Sequence, residues 1–315
     1  MTDTQNEVFK TPVNKIRLFE HGAPGSQNLK LTRKYYTEDM PDGRVKHIVQ
    51  NITDPDIVPY IPDGIGNSTD RQRIPAVLII PGGAFRRLVY NFEGEDVAKW
   101  LNSMGIAAFV LECRLPSDEH DNAEDVPLID AMRAMRVIRG RAQEFGIDEA
   151  KIGVMGFSAG GFMAALLSTA YESDVYADYK YKDEYDKLSA RPDFAVCSYP
   201  VISIDDCIEA GKRYMSEEQV LERISDGKAK ILHKYNPDKL VRPDMPPVFI
   251  CETDDDRTTL SENSVGFYMA ARKAGVSAEL HIFRTGGHGY GCGDDFAQTG
   301  EWKVLFTKWI KSIGI

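Results

Sequence analysis

Continuous apolar runs recur along this chain and alternate with segments in which apolar residues repeat every three or four positions. An unbroken apolar run predicts a strand buried on both faces, whereas the three-to-four spacing predicts a helix with one buried face. Buried strands are predicted at 76–80, 107–111, 152–155, 194–197, 248–251 and 278–283. Helices are predicted at 92–104, 129–145, 159–167, 263–274 and 302–313. This alternation predicts an α/β fold with a mostly parallel, doubly wound sheet flanked by helices.

Some parts of the chain depart from this alternation. Residues 30–32 and 45–49 alternate between polar and apolar, which predicts antiparallel strands at a sheet edge. The segments of about 171–191 and 204–247 are polar and follow the helix at 159–167. Neither has the pattern of an independent domain, so we expect a single domain over residues 1–315, with both segments acting as a lid or cap. The first segment contains tyrosines that either stack on a sugar or belong to an exposed loop, namely Tyr171, Tyr176, Tyr179, Tyr181 and Tyr185.

Charge and composition narrow the function classes. The net charge of −10 and the pI near 5.2 come without the basic face that a nucleic-acid binder needs. The amino terminus is polar, and no apolar run reaches the length of a membrane span. The five cysteines are scattered, which predicts reduced thiols and a cytoplasmic location. We therefore expect no nucleic-acid or membrane partner, no cofactor and no metal, while the oligomeric state stays open.

A candidate nucleophile lies in the run Gly156-Phe157-Ser158-Ala159-Gly160. Gly-x-Ser-x-Gly between a strand and a helix is the pattern of a nucleophile elbow, in which glycines permit a very tight turn. The alternative is an ordinary glycine-rich turn, which chance produces in a chain with 26 glycines. The buried strand before the run and the small-residue helix after it favour a catalytic Ser158.

An oxyanion hole is predicted from the run Pro81-Gly82-Gly83, which directly follows a core strand. Two adjacent glycines allow backbone amides to point into a cavity. Enzymes with a nucleophile elbow between a strand and a helix place a second oxyanion donor after an early strand of the sheet. The alternative is a plain tight turn. The preferred donors are the amides of Gly83 and Ala159, followed by that of Gly82.

Six histidines are candidates for the general base, and His288 is the one within a glycine-flanked loop after a strand. His281 alternates within that strand and is predicted to be structural. The remaining four lie in polar segments and are predicted to be solvated, namely His21, His47, His120 and His233.

The acid that orients the histidine should lie between Ser158 and His288, after a strand. The run Asp254-Asp255-Asp256 satisfies this condition, with Asp256 preferred and Asp255 in reserve. The order Ser, Asp, His along the chain is the one expected of an α/β-hydrolase.

With these residues in place, the chain resembles the α/β-hydrolase esterases that act as acetyl-xylan or carbohydrate esterases, including the bifunctional acetyl/feruloyl esterases. The matching stretches cover nearly the whole chain and include 21–25, 130–134, 191–194, 199–203 and 279–283. In these relatives the acid loop reads Asp-Asp-x-Val-Val-Pro before Glu-Asn-Ser. Aligned on Glu262-Asn263-Ser264, its second Asp falls on Asp256. The loop departs from the family at Thr258-Thr259-Leu260, and Glu252 stands where the family has a histidine.

The resemblance implies a serine esterase that removes short acyl groups such as acetyl from a small molecule or an oligosaccharide. Three alternatives remain open. A peptidase or amidase would use the same triad, and a general carboxylesterase or lipase would want a more apolar lid. A non-catalytic binding module of the same fold would typically lack one of the three residues.

Overall fold

A computed structural model of the protein describes residues 9, 13–65, 73–213, 215–216, 218–219, 229–293 and 298–315. Their main sheet has eight strands in the order β1-β4-β7-β5-β8-β9-β10-β11. Its strands are β1 (Ile16–Arg17), β4 (Asp56–Tyr60), β5 (Ile74–Ile80), β7 (Ala107–Glu112), β8 (Ile147–Phe157), β9 (Ala195–Ser198), β10 (Val248–Thr253) and β11 (Ala278–Phe283). All six predicted core strands therefore form, and they are parallel to one another from β7 to β11.

The amino-terminal region contributes in two ways. β4 and β1 extend the main sheet antiparallel, which is the edge arrangement expected for this region. A separate antiparallel sheet contains β2 (Lys34–Asp39), β3 (Val45–Gln50) and β6 (Leu88–Val89). The predicted run 45–49 lies in this small sheet rather than at the main edge, and 30–32 precedes β2 without forming a strand. A period of two identifies a half-buried strand but does not identify the sheet it joins.

Helices cover both faces of the main sheet. They are α1 (Asp96–Ser103), α2 (Val126–Gly140), α3 (Ala142–Phe145), α4 (Ala159–Ala170), α5 (Ile204–Lys212), α6 (Ala229–Lys234), α7 (Ser261–Lys273) and α8 (Glu301–Ser312). On one face α1 meets α8 through Trp100 and Trp302, whose rings are 4.9 Å apart. On the other face α2 packs against α4.

Two helix predictions differ from the structure in detail. The segment 92–104 begins with a π-helical turn, Asn91–Glu95, before α1. The segment 129–145 is two helices, since α2 ends at Gly140. A Cβ at Gly140 would lie 2.3 Å from the Tyr185 ring, so the chain passes very close to that side chain where α2 ends.

Residues 171–191 pack along α2. Arg133 donates to the Asp183 carboxylate, Arg136 to the Leu188 carbonyl and Arg139 to the Ser189 carbonyl. In the predicted helix 129–145 the arginines fall largely outside the apolar face, and the structure agrees for Arg133, Arg136 and Arg139 of α2. The polar segment covers them because its carboxylates and carbonyls accept their hydrogen bonds. Of its five tyrosines, Tyr171 and Tyr176 are buried, and Tyr181 is 43% exposed. The structure thus favours a packed surface segment over a sugar platform.

The segment 204–247 is described only in part. It contains α5, α6 and a short 3-10 turn, Pro237–Lys239, and residues 220–228 lie outside the described range. Across the described helices, none combines the length and apolar character that a membrane span requires.

Candidate active site

Ser158 lies in the sharp turn between β8 and α4. Its backbone has φ 53° and ψ −118°, a conformation that a residue with a Cβ rarely adopts. The flanking glycines permit the turn, because a Cβ at Gly156 would lie 1.9 Å from the Gly160 carbonyl oxygen. A Cβ at Gly160 would lie 1.9 Å from the Ile80 carbonyl oxygen. The predicted strand–turn–helix context of Ser158 is therefore present.

Ser158, His288 and Asp256 lie together in a hydrogen-bonded chain. His288 Nε2 is 2.8 Å from Ser158 Oγ, and His288 Nδ1 is 2.7 Å from Asp256 Oδ2. The Asp256 side chain is fully buried. Burial alone would raise its pKa, but the hydrogen bond and charge of His288, together with backbone amides, hold the pKa below the usual aspartate value. Such a carboxylate is suited to fixing the tautomer of an imidazole.

The chain after Asp256 supports this carboxylate. The amides of Thr258 and Thr259 donate to Asp256 Oδ1 at 2.7 and 3.0 Å, and Thr259 Oγ1 donates to Oδ2 at 2.9 Å. These threonines stand where the resembling family has valines. The change from valine to threonine at 259 therefore gives Asp256 an additional hydroxyl donor.

Asp255 has a different partner. Its Oδ1 accepts a hydrogen bond from the Gly287 amide at 2.8 Å, and Thr253 Oγ1 donates to the Gly287 carbonyl at 2.9 Å. Gly287 directly precedes His288, so both contacts hold the histidine loop. The glycines of that loop supply its positive φ angles, 62° at Gly287 and 80° at Gly289.

The oxyanion loop 81–83 lies next to Ser158. Gly83 lines the same cleft as Ser158 and His288, and within the described residues its amide donates no hydrogen bond. Ala159 is the first residue of α4, where an amide has no intrahelical acceptor. The amides of Gly83 and Ala159, the two preferred donors, are thus available. The amide of Gly82, the third candidate, is not available as an oxyanion donor, because it donates to Glu93 Oε2 at 2.8 Å.

Glu93 is a buried carboxyl that sequence reasoning missed. Its second oxygen, Oε1, accepts a hydrogen bond from the Tyr199 hydroxyl at 2.9 Å, and that hydroxyl accepts from the Gly291 amide at 3.1 Å. One side chain thereby connects the oxyanion loop to the histidine loop. Burial raises the pKa of Glu93, and the positive charge that His288 would carry opposes the rise. In the sequence Glu93 is an acidic residue at the start of the predicted helix 92–104, and this position does not indicate a role in the site.

A second buried carboxyl, Glu252, lies behind the acid loop. Its oxygens accept from the Thr253 amide at 2.9 Å and the Ser264 hydroxyl at 3.2 Å. Burial, followed by the negative charge of Asp256, raises the pKa of Glu252 well above the usual glutamate value. Of these two neighbouring acids, Glu252 therefore holds its proton more tightly than Asp256, whose pKa is lowered.

A cleft of about 260 Å³ opens over Ser158 and His288. Beside it, a much smaller apolar cavity of about 10 Å³ borders Gly82 and Ala159. The cleft lining mixes charged, polar and apolar residues and comes from the small sheet, the oxyanion loop and the acid and histidine loops. Its lining residues are Met40, Arg44, Lys46, Gly83, Ala84, Arg87, Val89, Phe92, Glu93, Ser158, Thr258, His288 and Gly289. No residue of 171–191 is among them.

The other histidines lie away from this cleft's lining. His281 hydrogen-bonds Glu279 at 2.7 Å on β11, as a structural residue would. His120 was predicted to be solvated, and this is wrong. It is 5% exposed and hydrogen-bonds Ser26, and burial, followed by the charge of Arg114, lowers its pKa to about 4. Among the described residues, no group of three His, Cys, Asp or Glu side chains is arranged to hold a metal ion.

The model of the BD-FAE family matches residues 65–270, well over half of the chain and most of the site described above. The chain belongs to the BD-FAE family. An acetylxylan esterase of Xylanibacter ruminicola is 31% identical over 240 residues, which are 76% of this chain and 45% of that protein. An endo-1,4-beta-xylanase B of Butyrivibrio fibrisolvens is 31% identical over 227 residues, 72% of this chain and 34% of that protein. This BD-FAE chain thus spans less than half the length of these curated relatives.

Solved structures resemble the chain along most of its length. An acetyl ester-xyloside bifunctional hydrolase from Caldicellulosiruptor lactoaceticus has a TM-score of 0.72 and 35% identity, over 96% of this chain and 97% of that one. The carboxylesterase Cest-2923 from Lactobacillus plantarum has a TM-score of 0.66 and 20% identity, over 90% and 98% of the two chains, and shows the fold. These two proteins are a hydrolase of acetyl esters and a carboxylesterase. The predicted fold and the resemblance to acetyl-xylan esterases are confirmed.

Proposed function

We propose that this BD-FAE chain is a serine esterase that removes short acyl groups, acetyl foremost, from carbohydrate such as xylo-oligosaccharides. The observation that carries the proposal is the hydrogen-bonded chain from Ser158 through His288 to Asp256, at the edge of a cleft large enough for a sugar. The acetylxylan esterase relative and the acetyl ester-xyloside hydrolase structure support acetylated carbohydrate as the substrate class.

The reaction proceeds in two acyl-transfer steps. Ser158 Oγ attacks the ester carbonyl carbon while His288 Nε2 accepts the hydroxyl proton, and Asp256 stabilises the imidazolium. Collapse of the tetrahedral intermediate breaks the bond to the alcohol, which leaves with the proton from His288. A water molecule, deprotonated by His288, then attacks the acyl-enzyme and releases the carboxylic acid, which restores Ser158.

The oxyanion is stabilised by the amides of Gly83 and Ala159. An amide aimed at the developing negative charge contributes about 3 kcal/mol to the transition state. Gly82 acts indirectly in this proposal, because its amide fastens the loop to Glu93. The small apolar cavity beside Ala159 suits the methyl group of an acetyl ester, and the larger and more polar cleft suits the sugar.

Replacing the nucleophile tests the mechanism. We expect Ser158→Ala to lower kcat on p-nitrophenyl acetate by about 10⁴- to 10⁶-fold, because the covalent route is lost. Its circular dichroism and its denaturant midpoint should match the wild type. Equal rates in the two proteins would refute the mechanism and leave the non-catalytic binding module as the better explanation.

A substrate panel separates the remaining alternatives. Acetylated xylo-oligosaccharides, feruloyl esters, simple alkyl esters and acyl amides should be compared by kcat/KM. We expect the acetylated oligosaccharides to give the highest value. A preference for long alkyl esters would favour a lipase, and a preference for amides would favour an amidase.

The location of the protein stays part of the proposal. Within the described residues Cys113, Cys197 and Cys251 are free thiols, and all three are buried. Free thiols are usual in a reducing compartment, which supports a cytoplasmic enzyme acting on oligosaccharides.

A further inference from the structure

The charge of the cleft is opposite in sign to that of the whole chain. The chain carries a net charge of −10, yet the cleft over Ser158 is lined by Arg44, Lys46 and Arg87. The lining holds one carboxyl group, that of Glu93. Local charge of this kind concentrates ligands of the opposite sign and orients them as they enter.

The two arginines of the cleft already have carboxylate partners. Arg87 pairs with Glu38 on β2, and Arg44 pairs with Asp42 at 2.8 Å. The Arg44 guanidinium also lies 5.2 Å from the centre of the Phe92 ring. Glu38 and Asp42 are outside the cleft lining, so they anchor the arginines from behind and leave the cleft-facing side positive.

Lys46 differs from both arginines. It lies on β3, half-buried and directly across from Glu38 in the strand register. Glu38 is engaged by Arg87, and within the described residues Lys46 makes no ion pair. The charge of Lys46 partly offsets the rise in the pKa of Glu93, but the two Glu93 oxygens accept from the Gly82 amide and the Tyr199 hydroxyl rather than from Lys46. A partly desolvated ammonium without a direct ion-pair partner is costly unless a ligand supplies the opposite charge.

We propose that Lys46 is a specificity-determining residue that binds a carboxylate of the substrate, so that the preferred ester is carried by an acidic sugar. The inference rests on the proposed esterase function and names the class of its alcohol part, a uronic acid residue or a sugar bearing one. Arg87 and Arg44 extend the same positive surface along the cleft.

The geometry assigns the carboxylate to the alcohol rather than to the acyl group. Lys46 lines the larger and more polar cleft. The small cavity beside Ala159 has mainly apolar lining and does not include Lys46, and its two arginines, Arg87 and Arg114, are already paired with Glu38 and Asp130. An acid on the acyl chain would have to enter that apolar cavity and lose its hydration. With an acetyl ester of an acidic sugar, the acetyl group enters the small apolar cavity and the charged sugar lies in the cleft beside Lys46.

The test uses two esters that differ in one charge, a mono-O-acetyl methyl glucuronoside and the corresponding glucuronamide. The measurement is the ratio of their kcat/KM values from acetate release. We expect the wild type to favour the uronate by about tenfold, the scale of a charge-assisted hydrogen bond. In Lys46→Gln the ratio should fall to about one, and Lys46→Arg should restore most of it.

Lys273→Gln is the matched control, because it removes the same charge from an exposed position at the far end of α7. It should keep the wild-type ratio. The preference should also weaken as salt is raised, since part of it is electrostatic steering.

Equal kcat/KM for the two sugars in the wild type, or an unchanged ratio in Lys46→Gln, would overturn the proposal for Lys46 and leave the esterase intact. If the wild type hydrolysed neither sugar nor p-nitrophenyl acetate, the proposed function itself would fail.

Discussion

Two clusters of buried charge lie at the same end of the sheet and differ in how their charges are balanced. One is the pair Arg114–Asp130, just after β7, in which both side chains are fully buried. The other surrounds Ser158 and contains the carboxyl groups of Glu93, Asp256 and Glu252 with His288. Most side chains of both clusters are buried, although the His288 side chain is 21% exposed to the cleft. Burial alone therefore does not distinguish a structural cluster from the proposed catalytic one.

In the structural pair, opposite charges and hydrogen bonds match. Arg114 donates to Asp130 from Nε and Nη2, at 3.0 and 2.7 Å, and its own amide donates to Asp130 Oδ2 at 2.8 Å. Nη1 of the same guanidinium donates to Ser26 Oγ at 2.8 Å. A buried ion pair with satisfied partners of this kind holds its neighbourhood in one arrangement.

The cluster around Ser158 carries an excess of acids. Asp256 hydrogen-bonds His288, Glu93 interacts with the charge of His288, and Glu252 lies behind Asp256. Burial raises the pKa values of Glu93 and Glu252. Asp256 has a lowered pKa because His288 and backbone amides favour its charged form. Unequal pKa values among neighbouring acids are typical of sites that move protons. The comparison indicates that the imbalance of charges, rather than burial, distinguishes the cluster around Ser158 from the structural pair at the same end of the sheet.

Among variants of the charged residues in these two clusters, Asp256→Asn should have the largest effect. Loss of this carboxylate should lower kcat by about 10⁴-fold, because an amide no longer stabilises the imidazolium or selects its tautomer. Asp255→Asn is the matched control one residue away, since Asp255 holds the Gly287 amide rather than His288. We expect it to lower kcat less than about tenfold. The reverse ranking would assign the triad acid to Asp255.

The positions of Ser158 and His288 were predictable because each one lies where a short sequence pattern constrains the backbone. Gly156 and Gly160 define the turn at Ser158, and the glycines around His288 define its loop. The choice between Asp255 and Asp256 needed the fold. The two are adjacent in sequence, but their side chains contact different loops.

The remaining features depend on contacts between distant parts of the chain. The hydrogen bond from the Gly82 amide could not be predicted from the turn that contains Gly82, because its acceptor, Glu93, is eleven residues further on. Arg133 on α2 was correctly placed outside the apolar face, yet a segment fifty residues later buries it. The membership of β3 in a second sheet has the same cause, since alternation along a strand carries no information about its neighbours.

Breaking the structural pair should cost stability. Asp130→Leu leaves the Arg114 guanidinium buried without its carboxylate, and we expect the free energy of unfolding to fall by about 3–5 kcal/mol. Denaturant titration measures the change. The double variant Arg114→Met with Asp130→Leu removes both charges and should recover most of the loss. If the double variant were as unstable as Asp130→Leu, the cost would come from packing rather than from the unpaired charge.

A smaller effect is expected for Glu93→Gln. This variant tests the excess of acids around Ser158 directly, because it removes one of them. The amide keeps the size of the side chain, and its oxygen can still accept from one neighbour. The contacts to Gly82 and Tyr199 nevertheless lose their charge assistance. We expect kcat on p-nitrophenyl acetate to fall about tenfold with little change in KM, since the oxyanion loop is less firmly placed. Tyr199→Phe should give a loss of the same kind, because it removes the other contact to Glu93.

The pH dependence distinguishes this positioning role from a general loss of stability. Because the folded-state pKa of Glu93 is raised, the folded protein holds this proton more tightly than the unfolded chain does. The contribution of Glu93 to stability is therefore present below the ordinary glutamate pKa and is lost as pH rises toward the raised value. Between those limits the free energy of unfolding should decline with pH more steeply in the wild type than in Glu93→Gln.

In the same pH range kcat of the wild type should increase, because ionisation of Glu93 strengthens the hydrogen bond from Gly82. The rise in kcat that is due to Glu93 should be missing from Glu93→Gln. Parallel profiles in the two proteins would mean that Glu93 does not titrate in this range and that its part in the site is steric.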